Sequence, residues 1–190
     1  MVNTSSHAVY GSRTGPALKE DDRLAPGSQL YGACKVWTEH VAENYNTRYG
    51  MGIVSLRLQS AYGIGRVNRA RDWAAGLMGE TMWKRPNYRA NAELAALGEA
   101  VSMPPDAEID DFIHSADSAQ AFWLAATVEK PKHFVFNVAN EHRPVGDYTN
   151  ILRQLLPEAT VNVGPQPRNP TLLDSSLIRA ELGFAPQYTL

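Results

Sequence analysis

The sequence predicts an α/β protein built on a largely parallel sheet. Three observations carry that prediction. Short apolar runs of strand length alternate with helix-period segments along most of the 190 residues. The run Ile53-Val54-Ser55-Leu56-Arg57-Leu58 is mostly apolar, as in a strand covered on both faces. Strands separated by helices pair in parallel through right-handed crossovers, which leave helices on both faces of the sheet.

Residues 1–6 read as a short strand running into a loop, and the Gly and Pro residues scattered over 8–28 keep that stretch a loop. From Gln29 to Tyr49 the apolar and aromatic residues Leu30, Ala33, Trp37, Val41 and Tyr45 recur at helical steps. Ser28 is the predicted N-cap and Gly50 the predicted stop. A strand follows at 52–58, then a Gly-rich loop at Tyr62-Gly63-Ile64-Gly65 and a helix over Ala70–Glu80. Asn91–Val101 has helical composition between Pro86 and Pro104. Further on come a strand at Asp111–His114, a helix from Asp117 to Val128, and a strand at His133–Val138. A helix at Val145–Leu156, a strand at Thr160–Val163 and a short helix at Ser175–Leu182 complete the chain.

Composition narrows the function. Eighteen basic and 20 acidic side chains give a net charge of −2, so there is no basic excess with which to bind a nucleic-acid backbone. No apolar run approaches the ~20 residues of a membrane span, so neither a nucleic acid nor a membrane is an expected partner. The single cysteine, Cys34, excludes an internal disulfide, and the expected compartment is the cytoplasm. The five histidines lack metal-ligand spacing. His114 reads as a satisfied core histidine and Cys34 as a buried helix cysteine. Trp73, Trp83 and Trp123 read as core or substrate-domain packing, and Asp117 as a helix cap.

Chemistry concentrates in two places. Tyr31 and Lys35 stand four apart on a predicted helix, so both project from one face. A phenol is a poor proton carrier at neutral pH, and an ammonium one turn away favours its ionised form. The pair is therefore a proton-transfer device, although the same spacing also serves as a plain surface pair. Ser6 ends a predicted strand, at the edge where open α/β sheets bind ligands. It either holds a substrate oxygen or bonds its own loop backbone.

These pieces resemble a family. Ser5-Ser6-His7-Ala8-Val9-Tyr10-Gly11 is followed by Tyr-x-x-x-Lys and then by Leu56-Arg57-Leu58-Gln59-Ser60-Ala61-Tyr62-Gly63. Next come Asp111-Phe112-Ile113-His114-Ser115-Ala116-Asp117, then Phe136-Asn137-Val138, then Asp174 and Glu181-Leu182-Gly183-Phe184-Ala185-Pro186. In this order they resemble the extended short-chain dehydrogenases/reductases, the NAD-dependent epimerase/dehydratase group, over nearly the whole chain. The resemblance implies the C-terminal half of a Rossmann-like parallel sheet plus a small substrate-binding lobe. Residues 1–66 would form the partial Rossmann region with the catalytic motifs. Residues 67–190 would form mainly the lobe, with interleaved returns to the sheet.

The resemblance also implies roles. Ser6, Tyr31 and Lys35 would be the catalytic triad, with NAD or NADP as cofactor. Tyr31 and Lys35 would face the nicotinamide riboside, bordered by Leu58, Gln59, Ser60 and Ala61. Ser6, His7, Ser60, Arg66 and Arg69 would contact a small-molecule substrate: a sugar, a sugar acid or a nucleotide sugar. The activity would be that of a sugar or hydroxy/keto-compound epimerase, dehydratase or dehydrogenase. A homodimer through helix 29–49 is the expected assembly.

Two departures qualify these implications. Asp110 stands where nucleotide-sugar members often carry an arginine that clamps a diphosphate, and a carboxylate there would repel one. Arg57, Arg66, Arg69 and Arg71 either supply positive charge or are solvated surface arginines. The family's strand–Gly-x-x-Gly-x-x-Gly–helix unit, which seats the pyrophosphate, does not occur in these residues. The resemblance thus implies a chain that enters at the fifth strand, with its edge strand uncovered. The alternative is a non-catalytic binding or structural module that keeps the lobe but binds no cofactor.

Overall fold

The computed structural model describes residues 1–13, 15–27, 30–59, 61–62, 98, 100–103, 105–164 and 171–188. In order, the elements are β1 (Val2–Ser6), a short 3-10 helix (His7–Tyr10), α1 (Leu30–Tyr49), β2 (Val54–Leu58), β3 (Ala61–Tyr62), β4 (Val101–Met103) and β5 (Ile109–His114). There follow α2 (Ser115–Thr127), β6 (Val135–Val138), β7 (Glu141–Pro144), α3 (Val145–Leu155), β8 (Val161–Val163) and α4 (Ser176–Leu182). The expected Gly-rich loop at 63–65, the helix over Ala70–Glu80, the Ser28 cap, Trp73 and Trp83 lie outside the described residues.

The chain divides into two compact units. The first comprises residues 1–61, 111–142 and 169–189, and the second 62–110 and 143–168. The first is built on a three-stranded parallel sheet in the order β1-β2-β6. Register is continuous: Val2 pairs with Val54, Ser6 with Leu58, and Leu58 with Val138. Alternation divides the two faces of β2. Val54 and Leu56 join Phe136, Val138, Ala121, Ala125, Ile178 and Leu182 in an apolar core that seats α2 and α4. Ser55 and Arg57 point the other way, toward α1.

On that second face α1 packs against β1 and β2 with little apolar surface. Its buried residues are Gly32, Glu39 and Ala42. The aromatic positions that predicted the helix lie outward instead: Trp37 is 72% exposed and Tyr45 44%. The period was sufficient to identify a helix, while the buried face is chosen by what the sheet offers it.

The second unit is smaller. Here β4 pairs in parallel with β8, Val101 opposite Val161, so Val101 is a strand residue and not the end of a helix. Helix α3 buries Leu152 against Tyr148, Leu156, Ala159 and Val161.

Several expectations need correction. Helix α2 begins at Ser115, capped by His114, whose Nδ1 accepts from the Ala116 N–H at 3.2 Å. Asp117 is therefore not the cap; its carboxylate accepts from the Gln187 and Tyr188 N–H groups and ties down the C-terminal strap. His114 is not a core residue but stacks on Tyr188, with ring centroids 4.4 Å apart. Trp123 is 65% exposed rather than core, because α2 turns Ala121 and Ala125 to the sheet. Cys34 is exposed, since Gly32 and not Cys34 lies in the contact with β1 and its turn. Arg57 is only 4% exposed, so it is no solvated surface arginine.

Candidate functional site

The site starts from the end of β1. Ser6 leaves the strand in extended conformation (φ −156°) and caps the 3-10 helix, its Oγ accepting from the Ala8 N–H at 3.2 Å. This is the loop-backbone bond that a strand-end serine makes, and the hydroxyl proton remains for a further acceptor. Since Ser6 pairs with Leu58, the ends of β1 and β2 lie side by side at the carboxyl edge of the parallel sheet. His7 Nδ1 is 3.4 Å from the Leu58 carbonyl oxygen across that edge.

Helix α1 brings the second part. Lys35 Nζ donates to the Thr4 carbonyl at 2.6 Å and stands 5.5 Å from the centre of the Tyr31 ring. At the helix start, Gly32 lies so close to the Ala8 carbonyl group that an added Cβ would sit 2.9 Å from Pro26 Cβ and 3.1 Å from the Ala8 carbonyl carbon. These two contacts, at Thr4 and at Ala8, bracket Ser6. They bring the first turns of α1, with Lys35, to the strand end that carries the serine. Tyr31 remains 58% exposed, open to a ligand.

Beneath this surface lies a polar network whose pairing the motifs did not indicate. Glu39, one turn beyond Lys35, takes both arms of the Arg57 fork, Nε to Oε1 at 2.9 Å and Nη2 to Oε2 at 2.7 Å. Ser5 Oγ donates to Glu39 as well. Arg57 Nη1 reaches the Tyr10 hydroxyl at 2.6 Å, and that hydroxyl is 2.9 Å from Asn137 Oδ1. Burial works against the Arg57 charge, and the Glu39 carboxylate overrides it, holding the guanidinium more firmly protonated than usual. Burial also pushes the Tyr10 phenol up, against the pull of Arg57. Helical spacing, Lys35 plus four, was the available signal for Glu39; nothing in the local sequence pairs it with Arg57.

The residues expected to border the cofactor divide. Leu58 ends β2, and Gln59 is buried, its Nε2 donating to the Thr171 carbonyl at 2.9 Å and to Asp111 Oδ2 at 3.3 Å. Asp111 also receives the Leu173 N–H at 2.6 Å and lies 2.9 Å from His142 Nε2. That hydrogen bond raises the His142 pKa, against burial, which lowers it. Ala61 opens β3. Ser60, Arg66 and Arg69 lie outside the described residues. A groove of about 620 Å³ beside α1, lined among others by Glu20, His40, Asn46 and Phe134, does not include Ser6, Tyr31 or Lys35.

A parallel α/β sheet with a serine at its carboxyl edge, and Tyr-x-x-x-Lys on the helix crossing over it, defines the short-chain dehydrogenase/reductase class. Within that class the chain belongs to the NAD dependent epimerase/dehydratase family, whose model matches residues 1–139. It is 30% identical over 210 aligned positions to UDP-glucuronate 4-epimerase 4 of Arabidopsis thaliana, covering 98% of this chain and 44% of that protein. It is likewise 30% identical over 132 positions to UDP-glucose 4-epimerase of Azospirillum brasilense, covering 66% of this chain and 36% of that one. Among solved structures, UDP-glucuronic acid 4-epimerase from Bacillus cereus in complex with NAD superposes with a TM-score of 0.75 at 20% identity, over 99% of this chain and 56% of its own. The chain spans less than half the length of the curated relatives it matches over nearly all its residues.

Proposed function

We propose that this chain carries the proton-transfer half of an NAD-dependent sugar epimerase. Tyr31 Oη exchanges a proton with a sugar hydroxyl, Ser6 Oγ donates to the same oxygen, and the Lys35 ammonium favours the ionised phenol. The observation that carries the reading is the bracket around Ser6: Lys35 bonded to Thr4, Gly32 against Ala8, and the ammonium 5.5 Å over the Tyr31 ring.

The donors fit one end of the cofactor. Tyr31 and Lys35 offer a hydroxyl and an ammonium to ribose hydroxyls, and the strand end Leu58–Gln59 with Ala61 borders the nicotinamide. NAD, when bound, supplies the capacity to accept and return a hydride. No residue described here supplies the glycine-rich cradle for its pyrophosphate, so this chain alone holds NAD weakly. The first unit serves proton transfer and the second binds the body of the substrate. His7, and with it Ser60, Arg66 and Arg69, completes the substrate contacts. The outer face of α1, where Trp37, Val41, Tyr45 and Tyr49 recur every fourth residue and are exposed, supports a homodimer through helix 29–49.

The relatives' names point to a nucleotide-linked sugar or sugar acid. A second reading of the substrate has its own observation: Asp110, buried in β5, places an acid where a diphosphate clamp would stand. That favours a sugar or hydroxy/keto compound without a diphosphate. Competition between UDP-glucuronate and unlinked sugars for the protein separates the two.

The test of the main reading is Tyr31→Phe in a form that also carries a glycine-rich strand–helix unit. Turnover falls about 10²–10⁴-fold while NAD affinity stays unchanged. Unchanged turnover removes Tyr31 from the chemistry. Failure of that form to bind NAD at all favours a non-catalytic module.

A further inference from the structure

Helix α1 faces a positioning problem. It must present Tyr31 and Lys35 to Ser6 in one axial setting, yet its buried residues are a glycine, a carboxylate and an alanine. Apolar contact is non-directional, and here there is little of it. A slip of one helical turn moves a side chain about 5.4 Å, far enough to part Lys35 from Thr4. Something directional has to hold the helix.

We propose that Glu39 is the positioning residue for the Tyr31/Lys35 pair, fixing the setting of α1 against the strand that carries Ser6. This rests on the proton-transfer reading of that pair. Tyr31, Lys35 and Glu39 are four apart in turn, so they share one face of the helix. The Glu39 carboxylate is held from two adjacent strands at once. Arg57 of β2 grips both of its oxygens, and Ser5 of β1, the neighbour of Ser6, donates to one of them. The two side chains of the ion pair are 5% and 6% exposed. A forked bond between a planar guanidinium and a carboxylate has a single good geometry, which an apolar patch lacks. Arg57 is itself held, through Nη1, by the Tyr10 hydroxyl at 2.6 Å and by the Glu20 carbonyl at 2.9 Å. Glu39 is thus tied to the sheet and not to another mobile side chain. A buried pair of this kind contributes little net stability against an apolar replacement and acts chiefly by specifying arrangement.

The test uses the chain itself, without cofactor or substrate. Its lysines are reductively methylated with ¹³C, and the Lys35 resonance is assigned by Lys35→Arg. In the native protein Lys35, bonded to Thr4, is expected to stand apart from the exposed Lys130 and Lys132. The double variant Glu39→Met/Arg57→Met replaces the pair by apolar side chains of similar length, and is expected to keep its circular dichroism and melting temperature while the Lys35 resonance joins the exposed lysines. A folded double variant with an unmoved resonance overturns the proposal. Ser5→Ala removes one hydroxyl and keeps the fold. It is expected to displace or broaden the same resonance, and should the double variant not fold, an unmoved resonance in Ser5→Ala overturns the proposal alone. Because no turnover is read, a displaced Lys35 signal in the variants, together with an inactive native sequence in the form that also carries a glycine-rich strand–helix unit, counts against the proton-transfer reading and not against the positioning role.

Discussion

Replacing Gly32 by alanine tests whether the approach of α1 to the β1 turn is as close as the site requires. In an ordinary helix the change is favourable, because alanine exceeds glycine in helix propensity by about 1 kcal/mol. At this position the new Cβ meets the Ala8 carbonyl group and stands 2.9 Å from Pro26 Cβ. Carbon pairs rest at about 3.5–4.0 Å, so α1 must retreat by roughly 0.5–1 Å. Both obstacles are stiff, being backbone and a proline ring. Overpacking of this kind costs up to about 3 kcal/mol. Set against the propensity gain, the net loss is about 2 kcal/mol, or roughly 4–8 °C in melting temperature for a chain of this size. Calorimetry or thermal circular dichroism reads it, with Cys34→Ala, exposed on the same helix, as a control expected within about 0.5 kcal/mol. The retreat also moves α1 away from β1, so activity in a form that also carries a glycine-rich strand–helix unit is expected to fall as well. A melting temperature at or above that of the native chain refutes the close approach, and with it the bracket around Ser6.

Three further outcomes follow from the same geometry. Glu39→Ala alone leaves the Arg57 guanidinium buried without its carboxylate and costs about 3–5 kcal/mol, measured by urea denaturation; a loss below about 1 kcal/mol means that water reaches the guanidinium. The His142–Asp111 pair makes stability pH-dependent: the folded-state pKa of His142 lies above its ordinary value of 6.5, so the contribution is complete below that value and is lost as the pH rises through the raised pKa. His142→Gln removes that part of the pH dependence of the melting temperature, and an identical dependence in the variant excludes the pair as its source. Trp37→Glu places a charge on the exposed face of α1 and is expected to turn a dimer into a monomer in sedimentation equilibrium with little change in melting temperature. Equal sedimentation of the two proteins counts against a dimer through helix 29–49.

Much of this chain is legible in its sequence. Apart from the short strands β3, β4 and β7, the order of strands and helices follows from apolar period, because a strand buried on both faces and a helix crossing over it leave distinct patterns. The placement of Ser6 at a strand end and of Tyr31 and Lys35 on one helix was legible because spacing reports which residues share a helix face or a strand end. The sequence could not say which face of α1 is buried. Trp37, Val41 and Tyr45 form the more apolar stripe, yet the sheet faces Gly32, Glu39 and Ala42, since Ser5 and Arg57 on β1 and β2 offer a carboxylate its partners. Pairing between residues 18 positions apart, such as Glu39 and Arg57, depends on strand order and register, which only the folded sheet establishes. The same holds for Asp111, which joins Gln59, His142 and Leu173 from three separate stretches of chain. Local spacing therefore determined which groups share a helix face or end a strand, whereas the setting of those groups against one another was decided by long-range pairing across the parallel sheet.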